Sequence, residues 1–272
     1  MKPLVSVVTP SWNQGRYFPD CIESVSGLED GLVEHIVIDN CSDDETPEVI
    51  SQNPHLRALV EKDRGQSDAL NKGFEMARGD WILWLNADDF LYPGMLSAYV
   101  DMVRSKPSLD AVYGHMVFVD ENGAEIRTVY QPQWRYYMTR LGPFCLPSTG
   151  TLYRASLLKE NPLDLDFHMV MDTEWTLRNG AKMKAKRLRQ KAVGFRLADN
   201  KTAENIATGA LTPRHAEERK ILSGRYRFYG LRGESRLGAI PYAFLWLVRR
   251  GIRFRILVDK ASSLLLDRIK NR

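Results

Sequence analysis

Over the first 120 residues, short apolar runs alternate with amphipathic stretches, and no other feature restricts the fold as much. Val5-Ser6-Val7-Val8-Thr9 reads as a buried strand closed by Pro10. Phe18, Ile22 and Val25 then recur near helical spacing. His35 to Asp39 is a second strand, followed by the polar loop Asn40 to Asp44, with Ser42 as a candidate helix N-cap. Leu56 to Val60 is a weaker third strand. Ala69, Leu70, Gly73, Phe74 and Ala77 mark one helix face, stopped by Gly79. Trp81 to Leu85 is a fourth strand, running into Asn86-Ala87-Asp88-Asp89. Consecutive parallel strands need long crossovers, which helices supply. The rhythm predicts the α/β class: a parallel sheet with helices on both faces.

Ligands of such sheets sit outside the carboxyl ends of the strands. Asp39, Asp63, Asp88 and Asp89 all fall at or just past predicted strand ends. Carboxylates gathered at one rim repel each other unless something cationic sits among them. Asp88-Asp89 suits a hard divalent cation, Mg²⁺ or Mn²⁺, and magnesium is usually shared between one or two carboxylates and the phosphates of a ligand. That points to a nucleoside diphosphate. For the pair alone, a solvated acidic turn is the competing reading. Other chemistries lack their signatures. No Gly-x-Gly-x-x-Gly follows the first strand, and no P-loop, nucleophile elbow or HExxH zinc motif is present. Cys21, Cys41 and Cys145 form no CxxC pair and suit reduced thiols in the cytosol.

After residue 110 the pattern changes. Ala111 to Val119 and Ile126 to Tyr130 flank Asp120-Glu121-Asn122-Gly123, a hairpin signal. Residues 131–150 read as loop, Leu157 to Asp172 as irregular, Trp175 to Leu177 as part of a short helix and Lys182 to Leu197 as one or two strands. Lys182, Lys184 and Lys186 alternate, as do Arg187, Arg189 and Lys191. They suit either a lysine-protected edge or a surface for a phosphate-bearing ligand or a membrane. From about Pro213 the chain reads as helical.

Charge is divided unevenly. Residues 223–272 hold 12 Lys+Arg against 3 Asp+Glu, whereas the rest is mildly acidic. Phe254, Leu257, Val258, Ala261, Leu264, Leu265 and Ile269 line one helical stripe, with Arg253, Lys260, Asp267 and Lys270 off it. A basic amphipathic helix of this kind suits the surface of an anionic membrane, reached through residues 237–272. Packing on the rest of the chain or on a second copy, as a homodimer, is the other reading. No nucleic-acid-binding motif surrounds the basic residues. The run Leu4 to Val8 is too short for a signal peptide core, and Leu237 to Val248 too short for a membrane span. The expected location is cytoplasmic, at the inner face of the cell membrane.

Four segments then stand out together: Val7-Val8-Thr9-Pro10-Ser11-Trp12-Asn13, the strand end Ile38-Asp39, the run from Asp63-Arg64-Gly65-Gln66-Ser67-Asp68 through Asn71-Lys72-Gly73, and Trp84-Leu85-Asn86-Ala87-Asp88-Asp89. In order and spacing they resemble family 2 glycosyltransferases of the GT-A fold. Met171-Asp172-Thr173-Glu174-Trp175 resembles that family's acidic acceptor-side motif. Phe195-Arg196-Leu197 resembles the strand that usually precedes a histidine, a position held here by Ala198. The resemblance is dense over residues 4–105 and looser to about residue 205.

It implies a Rossmann-like mixed sheet flanked by helices over residues 1–212, with a nucleotide-binding half (1–110), an acceptor half (111–212) and a basic helical extension (213–272). It implies an inverting hexosyl- or N-acetylhexosaminyl-transferase of polysaccharide assembly. The sugar would pass from a nucleoside-diphosphate donor, a UDP-sugar for preference, to a glycan or lipid-linked acceptor, with Mg²⁺ or Mn²⁺ as cofactor. Thr9 and Asp39 would hold the base and ribose, Arg64 would reach the diphosphate, and Asp68 and Asn71 would face the sugar donor. Asp88-Asp89 would be the DXD-type motif, Asp88 contacting ribose or sugar and Asp89 the metal. Asp172 would be the general base, with Glu174 as its rival. With Ala198 in place of histidine, Asp199, water or the diphosphate would have to complete a metal site, and His168 and His215 are further substitutes. Two other functions compete. A sugar-phosphate nucleotidyltransferase opens with a glycine-rich basic loop, which Thr9 to Asn13 lacks. A non-catalytic nucleotide-binding or scaffold protein would share the fold.

Overall fold

The computed structural model describes residues 2–27, 31–141, 145–198 and 212–226, with Arg250, Gly251, Phe254, Leu257, Val258 and Ala261 in the tail. Asp199, the run Leu237 to Val248, and Leu264, Leu265 and Ile269 of the stripe lie outside the described residues.

The four apolar runs become strands β1 (Val5–Ser11), β2 (Val33–Asp39), β3 (Arg57–Val60) and β4 (Trp81–Trp84), all parallel, in the order β3-β2-β1-β4. Helices α1 (Phe18–Ser24), α2 (Thr46–Gln52) and α3 (Gln66–Met76) make the crossovers. Ser42 does not cap α2; Glu45 is the N-cap, and the Ser42 hydroxyl donates to Asp39.

Alternation along each strand builds a core on each face of the sheet. Val8, Ile36, Ile38, Ile82 and Trp84 meet Leu70 and Phe74 of α3 on one face. On the other, Val5, Val7, Val37, Trp81 and Leu83 meet α1 and α4 (Met95–Ser105), a helix the sequence reading passed over. Each fully buried large side chain contributes about 1.5–3 kcal/mol. Gly73 lets α3 lie close on β1, because a Cβ there would stand 2.3 Å from Val8 Cγ1.

The second half adds β5 (Phe90–Leu91), β6 (Ala111–Val119), β7 (Glu125–Val129), β8 (Thr151–Arg154) and β9 (Ala185–Arg196), making one mixed sheet of nine strands among the described residues. Beyond β4 the order is β8-β6-β9-β5, with β7 paired to β6. The expected hairpin forms between β6 and β7, with Gly123 in the left-handed region at φ 81°. The stretch expected to be loop contains α5 (Tyr136–Leu141), and β8 follows it directly. The basic residues of β9 do not share one role. Arg187 is buried and donates to the Gln131 carbonyl at 2.6 Å, whereas Lys191 pairs with Glu125 at 2.5 Å.

Short helix α6 (Ala155–Glu160) precedes α7 (Met171–Asn179), and α8 (Pro213–Arg225) closes the described fold. Thr212 caps α8 by accepting from His215 N, and Pro213 opens it. The expected boundary at 212/213 runs through a packed unit. Leu222 of α8 is fully buried in the cluster that holds Val170, Met171 and Trp175.

Candidate active site

β1 has β2 on one side and β4 on the other, so the strand order reverses at β1 and leaves a crevice beyond its carboxyl end. Trp12 stands at that end with 62% of its surface exposed. Asn13 follows at φ 54°, a conformation asparagine tolerates. The loops beyond β1 and β2 are laced together: Asn13 N donates to Ser42 Oγ (2.8 Å), Asp43 N to Asn13 Oδ1 (3.0 Å) and Gly15 N to Asp44 (2.7 Å). Asp39 is fully buried beneath them, accepting from Ser42 N (2.9 Å) and Ser42 Oγ (2.6 Å). Thr9 is buried as well, and its hydroxyl is engaged by His35 at 2.8 Å rather than turned to the crevice. Burial pushes the His35 imidazole down to about 3, so it is neutral there.

The start of α3 forms the second wall. Asp63 accepts from Gly65 N at 2.7 Å, and burial, with Asp68 and Asp39 nearby, raises its carboxyl above the usual range. Asp68 is held by Arg64 and Lys72, with the Arg64 guanidinium largely exposed. Asn71 does not face the crevice. Its amide exchanges two hydrogen bonds with the backbone of Leu163, at 2.8 and 2.9 Å.

The turn after β4 is the third wall, and Asn86 is its hub. Asn86 Oδ1 accepts from Gln66 Nε2 and Trp84 Nε1, both at 2.9 Å, and its Nδ2 donates to Asp89 Oδ2 at 3.1 Å. Asp88 is half-exposed, whereas Asp89 is 1% exposed. Asp89 Oδ1 accepts from Arg196 N at 3.0 Å. Burial, and then the charge of Asp88, push the Asp89 carboxyl well above the usual carboxylate range. The Arg196 guanidinium ties the turn after β4 to neighbouring elements. It donates to the carbonyls of Asp88 (3.0 Å) and Glu121 (2.7 Å), pairs with Asp20 at 2.6 Å and lies over the Tyr17 ring at 4.7 Å.

The fourth wall is the first turn of α7. On a helix, Asp172 and Glu174 point different ways. Glu174 is fully buried and bonded to Arg178 (3.1 Å) and Tyr226 Oη (2.7 Å). Asp172 is half-buried; its Oδ1 accepts from Thr173 N at 2.6 Å, and burial raises its carboxyl above the ordinary aspartate range. Ser67 of α3 donates to the Phe167 carbonyl at 2.9 Å and lies 3.0 Å from Met171 Sδ, which joins this wall to the second.

Residues 6–160 match the sequence model of Glycosyl transferase family 2, which is more than half of the chain. The chain belongs to that family. It is 30% identical over 126 residues to the PGL/p-HBAD biosynthesis glycosyltransferase of Mycobacterium bovis (strain BCG / Pasteur 1173P2), a match covering 44% of this chain and 49% of the relative. The chain thus spans about half the length of the curated relatives it matches first. S. aureus TarS 1-349 in complex with UDP-GlcNAc shares the fold at TM-score 0.64 and 18% identity, over 84% of this chain and 68% of that one. The mannosyltransferase PcManGT from Pyrobaculum calidifontis, in complex with GDP-Man and Mn²⁺, does so at TM-score 0.56 and 16% identity, over 97% and 88%. The fold is therefore GT-A, as expected.

In this family 2 chain Asp88 and Asp89 are the carboxylates that could hold a divalent cation together with a diphosphate. Asp88 and Asp89 are adjacent carboxylates, and the raised Asp89 carboxyl is the kind of strain a cation relieves. An all-protein cage does not fit, since no group of three or more His, Cys, Asp or Glu converges among the described residues. Ala198 is half-buried at the end of β9. Three features escaped the sequence reading: Trp12, Arg196 and the Gln66–Asn86 hub. Each lay within a quoted motif, but residue type alone did not disclose its partners.

Proposed function

We propose that the protein is an inverting glycosyltransferase that moves a sugar from a nucleoside-diphosphate donor, a UDP-sugar for preference, to a hydroxyl of a glycan or lipid-linked acceptor. One arrangement carries this reading. Half-exposed Asp88 stands over the buried Asp89–Arg196 support, and Ser67 ties the neighbouring α3 to Met171, next to Asp172. Trp12 offers a flat face for the base, and Asp39, accepting from a ring N–H, favours uracil. Arg64, largely exposed and paired with Asp68 at 3.4 Å, would exchange that partner for the diphosphate. Thr9 contributes through its backbone, and Asn71 by holding the wall in place.

Transfer is a single displacement. The acceptor oxygen bonds to the anomeric carbon as the bond from that carbon to the diphosphate oxygen breaks, and the acceptor proton passes to Asp172. Its raised pKa makes Asp172 a stronger base than an ordinary aspartate, and general-base help contributes about 10²–10⁴ in rate. Asp89, with Asp88 beside it and the diphosphate, would hold Mg²⁺ or Mn²⁺, which would supply Lewis acidity to offset charge on the leaving group. The ligands named for the two solved relatives, UDP-GlcNAc in one and GDP-Man with Mn²⁺ in the other, are of these classes.

The tail is assigned to an anionic membrane at the cytoplasmic face. Phe254, Leu257 and Val258 are 67%, 62% and 49% exposed, and the surrounding segment is strongly basic. A nucleotide-binding protein without turnover is the second reading, favoured by Ala198. UDP should raise the melting temperature only with Mn²⁺ present, and one of a panel of nucleotide sugars should release its nucleoside diphosphate. A metal-dependent shift with no release from any sugar donor would select the second reading. No shift and no release would sink both.

A further inference from the structure

One buried carboxylate near this site has no part in the chemistry above. Glu218 of α8 is 3% exposed, and its oxygens accept from three consecutive backbone N–H groups. His168 N donates to Oε1 at 3.0 Å, and Met169 N and Val170 N donate to Oε2 at 2.7 and 3.2 Å. Arg214, one turn earlier on α8, donates Nε to Oε1 at 3.1 Å. Val170 is the N-cap of α7, and its side chain has no acceptor for the free N–H groups of a helix start. Glu218 takes the N–H of the N-cap residue and of the two residues before it, so it fixes the approach of the chain into α7.

The same segment is gripped from the opposite side by α3. Asn71 holds Leu163, Ser67 holds Phe167, and a Cβ at Gly65 would come within 2.7 Å of His168 Nδ1. Residues 163–170 are thus a strap between the helix of the nucleotide rim and the helix of Asp172. From α8, Arg225 adds an ion pair to Asp164 at 2.7 Å and a stack over Phe167 at 5.0 Å.

We propose that Glu218 is a positioning residue for transfer: from beyond the nominal catalytic domain, its carboxylate sets the place of the first turn of α7 and so the reach of Asp172. The proposal rests on Asp172 as the base. Three peptide planes that share one anion cannot turn independently, and an anion ahead of a helix also matches the positive end of its dipole. A base must come within about 2.6–3.2 Å of the oxygen it deprotonates. A misplacement of about 1 Å can cost about 10²-fold in rate, while the nucleotide contacts proposed at the ends of β1, β2 and β4 do not rest on Glu218.

The test uses the full chain, with Glu218→Ala, Glu218→Gln and Asp172→Asn alone and Glu218→Ala combined with Asp172→Asn. Glu218→Ala should lower kcat for transfer by about 10- to 100-fold while KM for the nucleotide sugar and Kd for UDP stay within about twofold. Glu218→Gln keeps one acceptor oxygen and should recover most of the rate. On the residual activity of Asp172→Asn, read as UDP release, Glu218→Ala should add no further loss, because residues that act as a unit are not additive. An unchanged kcat in folded Glu218→Ala overturns the proposal. So does a loss of UDP affinity in step with kcat, or a full additional loss in the double variant, since either marks a general structural role. Near-normal transfer by Asp172→Asn would instead remove Asp172 as the base; a loss confined to kcat in Glu218→Ala would then still assign Glu218 to α7. If Glu218→Ala does not fold, Glu218→Asp, which draws the carboxylate back by one methylene from the three N–H groups, replaces it: a kcat loss with intact UDP binding supports the proposal, and no loss overturns it.

Discussion

At the scale of single residues, Asp172 is held in a state the fold disfavours. Burial raises its carboxyl above the value it has in an unfolded chain. The folded protein therefore binds that proton more tightly, and this group's contribution to stability falls as pH rises through the folded pKa. Asp172→Asn keeps an acceptor for Thr173 N and removes the charge. The variant should melt above the wild type at neutral pH, with the gap closing in acid, while UDP binding persists and transfer is lost. Calorimetry from about pH 4 to pH 8 checks the first part, and a lower melting point at neutral pH would contradict it. In the wild type, activity should rise with pH through a limb that lies above the ordinary aspartate range. The acids of the site could be picked from residue type and strand-end position. Arg196 could not, because its partners Asp88 and Asp89 lie 108 and 107 residues away and nothing local marks the pairing. Thr9 and Asn71 show the converse: they sit within the motifs, yet their side chains are taken by His35 and Leu163.

At the scale of elements, close approach decides more than propensity. Gly73 sits within α3, where glycine is a poor helix former, and its use is the approach to β1. Gly73→Ala would press a methyl into Val8 Cγ1, 2.3 Å away, and into Ile38 Cγ1, 3.3 Å away. The expected cost is about 1–3 kcal/mol despite the better helix propensity, measured by urea unfolding. Stabilisation by this change would mean that α3 lies further from the sheet. Leu222→Ala tests α8 in the same way. A loss of about 2–5 kcal/mol is expected because Leu222 is fully buried, whereas a merely appended helix would lose little. The strands of the first half were legible because each is a run of apolar residues bounded by turn chemistry. α5, α6 and β8 were not, since they are four to six residues long and owe their conformation to neighbours rather than periodicity.

At the scale of the whole molecule, the body and the tail present different surfaces. Among the described residues no helix is long and apolar enough to cross a membrane. The tail nonetheless exposes Phe254, Leu257 and Val258 within a segment of 12 basic and 3 acidic residues. Full-length Phe254→Glu/Leu257→Glu should lose sedimentation with anionic liposomes and keep the UDP-dependent melting shift. Wild-type binding should weaken as salt is raised, because the electrostatic share is screened beyond a distance of about 8–10 Å. If sedimentation were unchanged and the variant became monomeric, the stripe would be a contact between copies instead.

Sequence by itself determined the class of the fold, the order of the parallel strands' crossovers, the acidic rim and the family. Those features are written in periods of two and 3.6 and in the chemistry of strand ends, which neighbouring residues suffice to express. Only the tertiary structure decided that Arg196 bonds to the turn that carries Asp88 and Asp89, that Glu174 is spent on Arg178 and Tyr226 while Asp172 accepts from Thr173 N, and that α8 belongs to the core through Glu218 and Leu222. Burial and hydrogen bonding depend on which distant segments meet, and that is a property of the packed chain rather than of any stretch of it.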